Sequence, residues 1–542
     1  MFSAVWLVAF AAIAFIIGYR FYGSFVYRRL GVDPAKRTPA HEQEDGVDYV
    51  PSKAPVLLGH HFASIAGASP IVGPIFAAVY GWVPVVLWII AGGIFIGAVH
   101  DFSSLIVSVR HQGKSIGEVI EQRMGKEGKL LFLTFSFFAL VLIIAVFFGI
   151  VANTFEANPA VGTSSILFII LAVFFGFVVY RRNAPLGISS VAGVILLLIC
   201  VYLGIQFPLQ LSASTWIYLM VGYVFIAATS PVWILLQPRD YLNSFLLYLL
   251  MIGAFIGIIF ANPTIRLEPF TGFNQNIGFL FPMLFVTVAC GAISGFHSLV
   301  SSGTTSKQLN SEGDAKFIGY GGMLIESMLA ILAIITAASL TRADYSVFFT
   351  DTGGGPIALF SSGIGRFLST LGIPGETGIT FAALAVSAFA LTTLDTGTRL
   401  CRFVFQEFFS RKSDAKQNVL ASNRFIGTAV SVALGGALAL TGTANALWPL
   451  FGSANQLLAA LALLAVSVWL GARGIKYGFT LIPMVFMFAV TLTALVFLLW
   501  NNITAGNYLL SAFSVGLMVV AICLIVLAWK RFGFKKAVSQ TT

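Results

Sequence analysis

The amino-acid sequence predicts an all-α polytopic membrane protein with about 15 transmembrane helices. Of its 542 residues, 58% are hydrophobic and only 10% are charged, and the mean hydropathy is +0.93. Apolar stretches long enough to cross a bilayer as helices recur along nearly the whole chain. Segments of roughly 10 residues with alternating polarity, which are typical of transmembrane β-barrels, do not occur in the sequence. The composition therefore excludes a soluble globular domain and favours a helical bundle in lipid.

Apolar runs that end at charged residues define the candidate spans. The first run lacks a basic amino-terminal region and a small-residue cleavage site, so we expect a true span and not a signal peptide. The second run is the weakest by hydropathy, because histidines, prolines and small residues replace leucine there. The predicted spans are residues 4–19, 60–80, 82–109, 130–152, 164–180, 186–207, 215–236, 241–261, 278–302, 317–341, 377–398, 425–441, 443–470, 477–500 and 509–529.

The positions of the basic residues predict how the chain crosses the membrane. If 60–80 is a span, the loops on one side hold all 31 Lys and Arg residues except Arg266, Arg342 and Arg366. The positive-inside rule makes this basic side cytoplasmic, so we expect a multi-pass inner-membrane protein with its N-terminus outside and its C-terminus in the cytoplasm. These loops also explain the net charge of +10, and we expect no nucleic-acid partner.

Two similar interruptions predict an inverted repeat. The stretch "AGASPIVGP" (66–74) opens one set of five spans, and "AATSPVWILLQP" (227–238) opens the next set. A Ser-Pro step removes a backbone donor, and glycine and alanine permit unwinding. Because five is odd, the second set is inverted relative to the first. The predicted regions are an N-terminal helix and cytoplasmic loop at 1–59, the repeats at 60–207 and 215–398, and four accessory helices at 399–542.

Paired interrupted helices predict a binding site for a small substrate near the middle of the membrane. Half-helix amino ends attract anions, and loose carbonyls bind cations. A plain proline kink is the alternative for either helix alone. The candidate substrate-binding residues are Ser64, Gly67, Ser69 and Gly73 in the first interruption and Thr229 and Ser230 in the second.

Ionisable side chains at membrane depth are candidates for coupling to a cation, because lipid disfavours them. His60 and His61 begin the first broken helix, where they relay protons or form an interfacial pair. Asp101 lies about 13 Å from Arg110 along a helix, and it is either a proton-coupling carboxylate or half of a cytoplasmic-side salt bridge. Glu326 lies near mid-membrane, where it carries a proton or bonds to a neighbouring helix.

Several long segments resemble one known family. They are "DYVPSKAPVLLGHHFASIAGASPIVGPIFAAVYGWVP", "GAVHDFSSLIVSVRHQGKSIGEVI", "LLQPRDYLNSF", "GAISGFHSLVSSGTTSKQL", "LTTLDTGTRLCRF" and "LWPLFGSANQLLAALALL". In this order, from about Tyr19 to the last spans, they resemble the CstA carbon starvation protein family. The resemblance implies uptake of short peptides or pyruvate under nutrient limitation and a LeuT-like 5+5 inverted repeat. We expect no counterpart of the additional N-terminal span that some members carry.

The resemblance also implies a cation site. In LeuT-like transporters the third helix of the second half, here 278–302, can hold sodium together with the first broken helix. Hydroxyls within this span are candidate ligands, and the same hydroxyls also serve as helix-packing contacts. His297 offers a titratable alternative, so the coupling ion stays open between H⁺ and Na⁺. The candidate coupling residues are His61, Asp101, His297, Ser298, Ser301, Ser302 and Glu326.

The sequence thus predicts a secondary active transporter that imports a small carboxylate-bearing nutrient with a cation. A channel or a nutrient sensor without transport is the alternative. Two D-T-G triplets (351–353 and 395–397) resemble those of pepsin-like proteases, but they lie about a bilayer apart, and we expect no enzyme. The four cysteines lack paired spacing, so no metal and no cofactor are expected. The partners are a small nutrient and the lipid bilayer, and a homo-oligomer is left open.

Two polar stretches complete the predictions. Residues 446–460, "ALWPLFGSANQLLAA", are expected to form a third interrupted helix outside the core, in the scaffold or an oligomer contact. Residues 356–373 are too polar to span comfortably, and we expect a re-entrant or surface helix that covers an outer vestibule.

Overall fold

The computed structural model describes residues 3–46, 48–182, 184–231, 234–350, 353–410, 418–441 and 444–539. Helices make up 82% of the structure. The prediction of an all-helical polytopic membrane protein is confirmed at this level.

Most spanning helices of the first half begin within about six residues of the predicted positions, but the long helix Ile116–Ala157 begins at Ile116 and not at 130. Their bounds are α1 Ala4–Ile17, α2 Gly23–Leu30, α3 Pro39–Glu42, α4 Ala54–Ile65, α5 Ser69–Ala77, α6 Trp82–Gly92, α7 Ala98–Val109, α8 Ile116–Ala157, α9 Pro159–Gly176, α10 Leu186–Gln206, α11 Ala213–Thr229 and α12 Leu236–Ala261. Short π-helical turns join α1 to α2 and α6 to α7 into continuous rods.

A small β-hairpin separates the two halves, and helices follow again. The remaining elements are β1 Asn274–Gln275, β2 Gly278–Phe279, α13 Leu280–Thr287, α14 Ala289–Ala292, α15 Gly295–Gly303, α16 Gly322–Ala338, α17 Arg342–Val347, α18 Gly355–Ser369, α19 Gly375–Phe409, α20 Val419–Ser422, α21 Arg424–Thr441, α22 Ala444–Ala472, α23 Gly478–Thr504 and α24 Tyr508–Ser539.

Twelve helical segments of the described residues are long and apolar enough to cross a membrane, and the bent pair Ala54–Ile65 and Ser69–Tyr80 makes a thirteenth. The other two predicted spans coincide with the 17-residue helix α11 and with the broken segment α13–α15. Large apolar side chains cover the outer surface, as at Ile188 (74% exposed) and Phe260 (71%), which suits contact with lipid tails.

The first interruption is a true break inside one span. Helix α4 ends at Ile65, Ala66 has non-helical angles (φ −78°, ψ 60°), and α5 starts at Ser69 with its axis bent by 47°. Pro70 lies in the first turn of α5, where its missing N–H leaves no bond unmade. The prediction of a broken helix at 66–74 is therefore confirmed, with the break at its first three residues.

The second break lies at a different place from the predicted one. Within 227–238, α11 ends at Thr229 and α12 begins at Leu236, so this stretch joins two helices and does not interrupt one span. The span 278–302, which we expected to be continuous, is broken instead. Ile293 and Ser294 adopt extended angles between α14 and α15.

Helix α22 packs directly against the second break. It runs unbroken from Ala444 to Ala472 with Pro449 inside it, so the prediction of an interrupted helix at 446–460 is wrong. Its contact with α15 is close, because a Cβ on Gly295 would overlap the Asn455 carbonyl oxygen and the Ala459 nitrogen. The helix assigned to the periphery is thus part of the core.

We expect Gly295→Ala to lower the free energy of unfolding by about 1–3 kcal/mol, the usual cost of overpacking a close contact. Gly222→Ala in α11 is the matched control, because Gly222 is exposed and a Cβ there meets no atom within 4 Å. Equilibrium unfolding in mixed micelles measures both variants. Equal stability of the two variants would contradict the close packing of α15 on α22.

Candidate functional site

The first break lies at the centre of the bundle, against helices α8 and α19. A Cβ on Gly67 would come within 2.6 Å of the Thr393 hydroxyl and 2.9 Å of the Phe147 ring. The Thr393 hydroxyl donates to the Ser64 carbonyl at 3.5 Å. The loosened backbone between Ser64 and Ser69 therefore faces helices from both halves of the chain.

The four substrate-site candidates of this break have different environments. The Ser69 hydroxyl is buried without a hydrogen-bond partner, at the amino end of α5. The Ser64 hydroxyl donates to its own helix at His60. Gly73 allows a close crossing, because its Cβ position lies 2.5 Å from the Thr287 carbonyl oxygen. Ser69 thus keeps a free hydroxyl at the break, whereas Gly67 and Gly73 allow close packing.

Thr229 and Ser230 lie at the carboxyl end of α11 and not at a break within a span. Their hydroxyls donate to the carbonyls of Phe225 and Ile226 in the same helix. The Ser230 carbonyl accepts a hydrogen bond from Arg399. The pairing of two Ser-Pro breaks, one from each half, is therefore not what the structure shows.

The second break is completed by a side chain from α22. The amide N–H of Phe296 donates to Asn455 Oδ1 at 2.9 Å, and Asn455 Nδ2 donates to the Ser294 hydroxyl at 3.0 Å. Asn455 thus bonds a backbone donor that the break leaves without a helical partner. The sequence assigned this residue to the scaffold, because its neighbour in space is distant along the chain.

A chain of buried titratable groups connects α7, α15 and α16. His100 Nδ1 lies 2.7 Å from Asp101 Oδ1, and His297 Nδ1 lies 2.8 Å from Asp101 Oδ2. On its other side His297 Nε2 lies 3.3 Å from Glu326 Oε2. All four side chains are fully buried. Three of the predicted coupling residues, Asp101, His297 and Glu326, are therefore brought together.

His61 lies close to this chain, next to the start of α16. Its Nδ1 atom lies 2.8 Å from the Thr305 hydroxyl, and its ring touches Gly322. His60 and His61 are 4% and 0% exposed, so both side chains lie inside the protein.

The hydroxyls of α15 are mostly turned to their own helix. Ser298 donates to the Gly295 carbonyl and Ser302 to the Ser298 carbonyl, both at 2.7 Å. Ser301 is buried with its hydroxyl unpartnered. These contacts match the helix-internal hydrogen bonding of serine more closely than a cluster of cation ligands.

The same region offers a set of metal ligands. Cys290, His297 and Glu326 present one ligand atom each, all within 4.8 Å of one another. A thiolate, an imidazole and a carboxylate suit zinc, although the thiol must lose its proton to bind. The sequence did not predict this group, because Glu326 comes from another helix and the cysteines have no paired spacing.

A second buried network joins α4, α11, α12 and α19. Arg239, 1% exposed, pairs with Asp395 and lies 3.1 Å from Asp240. The Tyr223 hydroxyl donates to Asp395 at 2.8 Å, and His60 Nδ1 lies 3.3 Å from Asp240. We expected 237–240 to be a loop, but the structure places these residues inside α12.

The aspartate of the second D-T-G triplet belongs to this second network. Asp395 of the second D-T-G triplet is buried and paired with Arg239, so it is not exposed to a peptide substrate. Of the first triplet, Asp351 and Thr352 lie outside the described residues.

Two cavities approach the breaks from opposite ends. We name them the outer and inner cavities after the predicted orientation of the chain. The outer cavity is lined by Phe76, Asn153, Ser361 and Trp448 among others. Helix α18 borders this cavity, as predicted for a helix within 356–373. An aromatic row fills the space next to it: Phe76, Trp448, Phe451 and Phe147 follow one another with ring centroids 5.2–6.1 Å apart.

The inner cavity is lined by His60, Lys307, Thr396 and Arg399 among others. Burial lowers the pKa of the Lys307 ammonium, while Asp48 and Asp45 oppose this shift. Ala383 lines the outer cavity and Thr396 the inner one on the same helix, about 20 Å apart.

A model of the carbon starvation protein CstA family matches residues 3–354 and 347–494, which together cover most of the chain. The chain belongs to the CstA family. The peptide transporter CstA of Escherichia coli (strain K12) is 36% identical over 91% of this chain and 80% of its own length. The pyruvate/proton symporter BtsT of the same strain is 33% identical over 91% and 81%. The peptide transporter CstA of Bacillus subtilis (strain 168) is 33% identical over 98% and 97%.

This membership agrees with the fold. A CstA family member with at least twelve apolar helices is a multi-pass membrane transporter, and the relatives are named as transporters and not as enzymes. Inside this CstA bundle, the structure places two buried polar networks.

We expect Arg239→Gln to lower the free energy of unfolding by about 3–5 kcal/mol, because it leaves Asp395 and Asp240 buried without their cation. The double variant Arg239→Gln/Asp395→Asn should recover part of this loss. Arg342→Gln is the matched control: its pair with Glu268 is 2.9 Å long but exposed, so the loss should be at most about 1 kcal/mol. Equilibrium unfolding in mixed micelles measures these losses. Similar losses of unfolding free energy for the Arg239 and Arg342 variants would contradict a buried, charge-paired Arg239.

Proposed function

We propose that the protein is a secondary active transporter that imports a small carboxylate-bearing nutrient by proton-coupled alternating access. The observation that carries the proposal is the buried chain Asp101–His297–Glu326 beside the second broken helix. Titratable groups with no exposure are costly in the core of a membrane transporter, and such groups typically mark proton or ion pathways.

The geometry of His297 favours the proton as the coupling ion. A neutral imidazole donates from only one ring nitrogen, yet both nitrogens of His297 face a carboxylate. The second contact is favourable only when an extra proton sits on His297 or on Glu326. In this proposal the extra proton, carried by His297 or by Glu326, is the one that is exchanged during coupling.

Sodium is less well supported by the same helix. The hydroxyls of Ser298 and Ser302 are bonded within α15, and histidine nitrogens are poor ligands for sodium. The relative named as a pyruvate/proton symporter adds weight to the proton. His61, bonded to Thr305 beside the cluster, is positioned to exchange protons with it.

We further propose that the bundle is a LeuT-like 5+5 inverted repeat with revised boundaries. The first set comprises α4–α5, α6–α7, α8, α11 and α12, and the second comprises α13–α15, α16, α19, α21 and α22. The basis is matched packing: α8 lies against α19 and α11 against α21, while α12 packs on α4 and α19 as α22 packs on α15 and α8.

In this register α9 and α10 form an inserted hairpin. Seven crossings separate the starts of the two sets, an odd number, which makes the second set inverted. The predicted repeats 60–207 and 215–398 are replaced accordingly, while 1–59 stays an N-terminal helix and loop. Of 399–542, only α23 and α24 remain accessory helices.

Alternating access fits the two cavities better than a channel does. The outer and inner cavities end on either side of the breaks, and the row Phe76–Trp448–Phe451–Phe147 lies between. A channel requires a continuous polar path, whereas two separate cavities with aromatic side chains next to them suit access from one side at a time. A sensor without transport does not need a proton-binding cluster.

The substrate is proposed to bind at the first break, where the Ser69 hydroxyl has no hydrogen-bond partner within the protein. Ser69 at the amino end of α5 offers a hydroxyl and a half-helix amino end to a carboxylate. Pyruvate and the carboxyl end of a short peptide both present this group. For uptake into the cytoplasm we propose the orientation that the positive-inside rule favours, with the basic loops inside the cell, the N-terminus outside and the protein in the inner membrane.

Uptake by purified protein in proteoliposomes tests the function. We expect pyruvate to accumulate above its outside concentration under an imposed proton gradient, and a dipeptide to compete with it. A sodium gradient alone should drive no accumulation. Accumulation driven by sodium and indifferent to pH would refute proton coupling, and equilibration without accumulation would indicate a channel.

Glu326→Gln tests the proposed proton site. The amide keeps the size of the side chain but cannot bind the proton, so proton-driven accumulation and its pH dependence should be lost. Exchange of internal for external substrate should persist, because it needs no net proton movement. Glu376→Gln, an exposed carboxylate at the start of α19, is the control and should behave like the unmodified protein. A pH profile unchanged by Glu326→Gln removes this residue from coupling.

Ser69→Leu and Ser230→Leu separate the two predicted substrate positions. Leucine at Ser69 fills the break, so we expect uptake to fall at least about tenfold with normal membrane insertion. Ser230 is partly exposed and its hydroxyl is bonded to its own helix, so Ser230→Leu should retain most activity. Initial uptake rates, normalised to the amount of inserted protein, decide. The reverse order of effects would place the substrate at the end of α11.

A further inference from the structure

The inner cavity holds a group of cations that form no ion pair with a carboxylate of the described residues. Lys307, which follows α15, and Arg399 of α19 line the cavity, and Arg402 lies one turn beyond Arg399. Arg399 and Arg402 are only 5% and 6% exposed. Among the described residues, no carboxylate oxygen lies within 4.0 Å of a side-chain nitrogen of these three residues.

This lack of partners distinguishes the group from the other buried cations of the described chain. Arg239 is neutralised by Asp395 and Asp240, and Arg110 lies 2.6 Å from Glu312. A buried cation is normally paired, because leaving it alone in a low-dielectric site is expensive. The cations of the inner cavity therefore lack the close carboxylate partner that Arg239 and Arg110 have.

The donors of this group are partly free. The Nε atoms of Arg399 and Arg402 are buried without a hydrogen bond, and Arg399 bonds to the Ser230 carbonyl through its other end. The Lys307 ammonium lies over the rings of Tyr49 and Phe403, at 5.4 and 5.2 Å from their centroids. The rings position the ammonium without using its hydrogen bonds.

One carboxylate lines the same cavity. Asp48 attracts Lys307, as do Asp45 and Glu407, but none of these carboxylates forms an ion pair with the three cations. His60, which also lines the cavity, lies 3.3 Å from Asp240. The cavity therefore keeps a positive excess at the end of the path that leads from the first break along α19.

We propose that the inner cavity is a second substrate subsite, in which Lys307 and Arg399 bind the carboxylate of the nutrient before its release into the cytoplasm. Arg402 adds to the local positive field as a positioning residue. This proposal rests on the proposed function, because it assumes that an anionic substrate passes through the cavity. A guanidinium and an ammonium on one cavity wall suit a small oxyanion, which inorganic phosphate also provides.

The test compares transport in the two directions, because only the inner cavity faces substrate during efflux. In oriented proteoliposomes, Lys307→Gln/Arg399→Gln should raise the KM for pyruvate efflux at least about tenfold, the scale of one lost charge-assisted hydrogen bond. The KM for influx should stay within about twofold. Arg28→Gln, an exposed cation on the same side of the membrane, is the control and should change neither value.

A binding assay separates this proposal from the failure of the transport function. Pyruvate, and separately inorganic phosphate, is added to protein in detergent, and the shift of the unfolding temperature is measured. We expect pyruvate to give a shift that the double variant reduces. If the unmodified protein transports no pyruvate but this reduction is seen, the transport proposal fails, and the cavity is a carboxylate-binding site without a role in transport.

Three results would overturn the subsite. They are an efflux KM that the double variant leaves unchanged, equal increases in both directions, and a shift by phosphate without one by pyruvate. The last result would assign the cavity to another oxyanion. A double variant that does not fold is replaced by the single variant Lys307→Gln, because Lys307 lies outside the spans, and the same criteria apply.

Discussion

The bundle depends on the carboxylate of Asp101, which is buried completely and held between two imidazoles. A charge in the core of a membrane protein is stable only with partners at hydrogen-bond distance. His297 provides the decisive contact, and it reaches Asp101 because α15 starts anew after the break at Ile293–Ser294. The break in the helix therefore allows the contact that stabilises the buried carboxylate of Asp101.

Small residues make this arrangement possible. Helix α22 approaches α15 at Gly295 closely enough for Asn455 to bond the freed backbone, and the first break approaches α19 and α8 at Gly67. Side chains larger than hydrogen at these points would separate the helices and leave backbone groups without partners in lipid. Close packing is thus the condition for having broken helices at membrane depth.

The sequence predicted the spans and the first break because hydropathy and Ser-Pro steps are local signals. It also predicted Asp101, His297 and Glu326, since a charge in an apolar run is conspicuous. It did not predict the contact between Asp101 and His297, because these residues lie almost two hundred positions apart. The second break has no proline and was hidden among small residues. The misassignment of Arg239 and Asp240 has the same origin: the motif "QPRD" is typical of a loop, and only the partner Asp395 makes its burial tolerable.

Helix α4 connects the two networks. His60 contacts Asp240 in the second network, and the next residue, His61, is hydrogen-bonded to Thr305 beside the first. Because the two histidines point to different helices, α4 cannot tilt at the break after Ile65 without disturbing both contacts. In the proposed cycle, a change of charge near His297 would weaken the contact between His61 and Thr305. Substrate bound at Arg399 and Lys307 would affect the contact between His60 and Asp240. The adjacent pair of histidines is therefore the place where proton and substrate can influence the same movement.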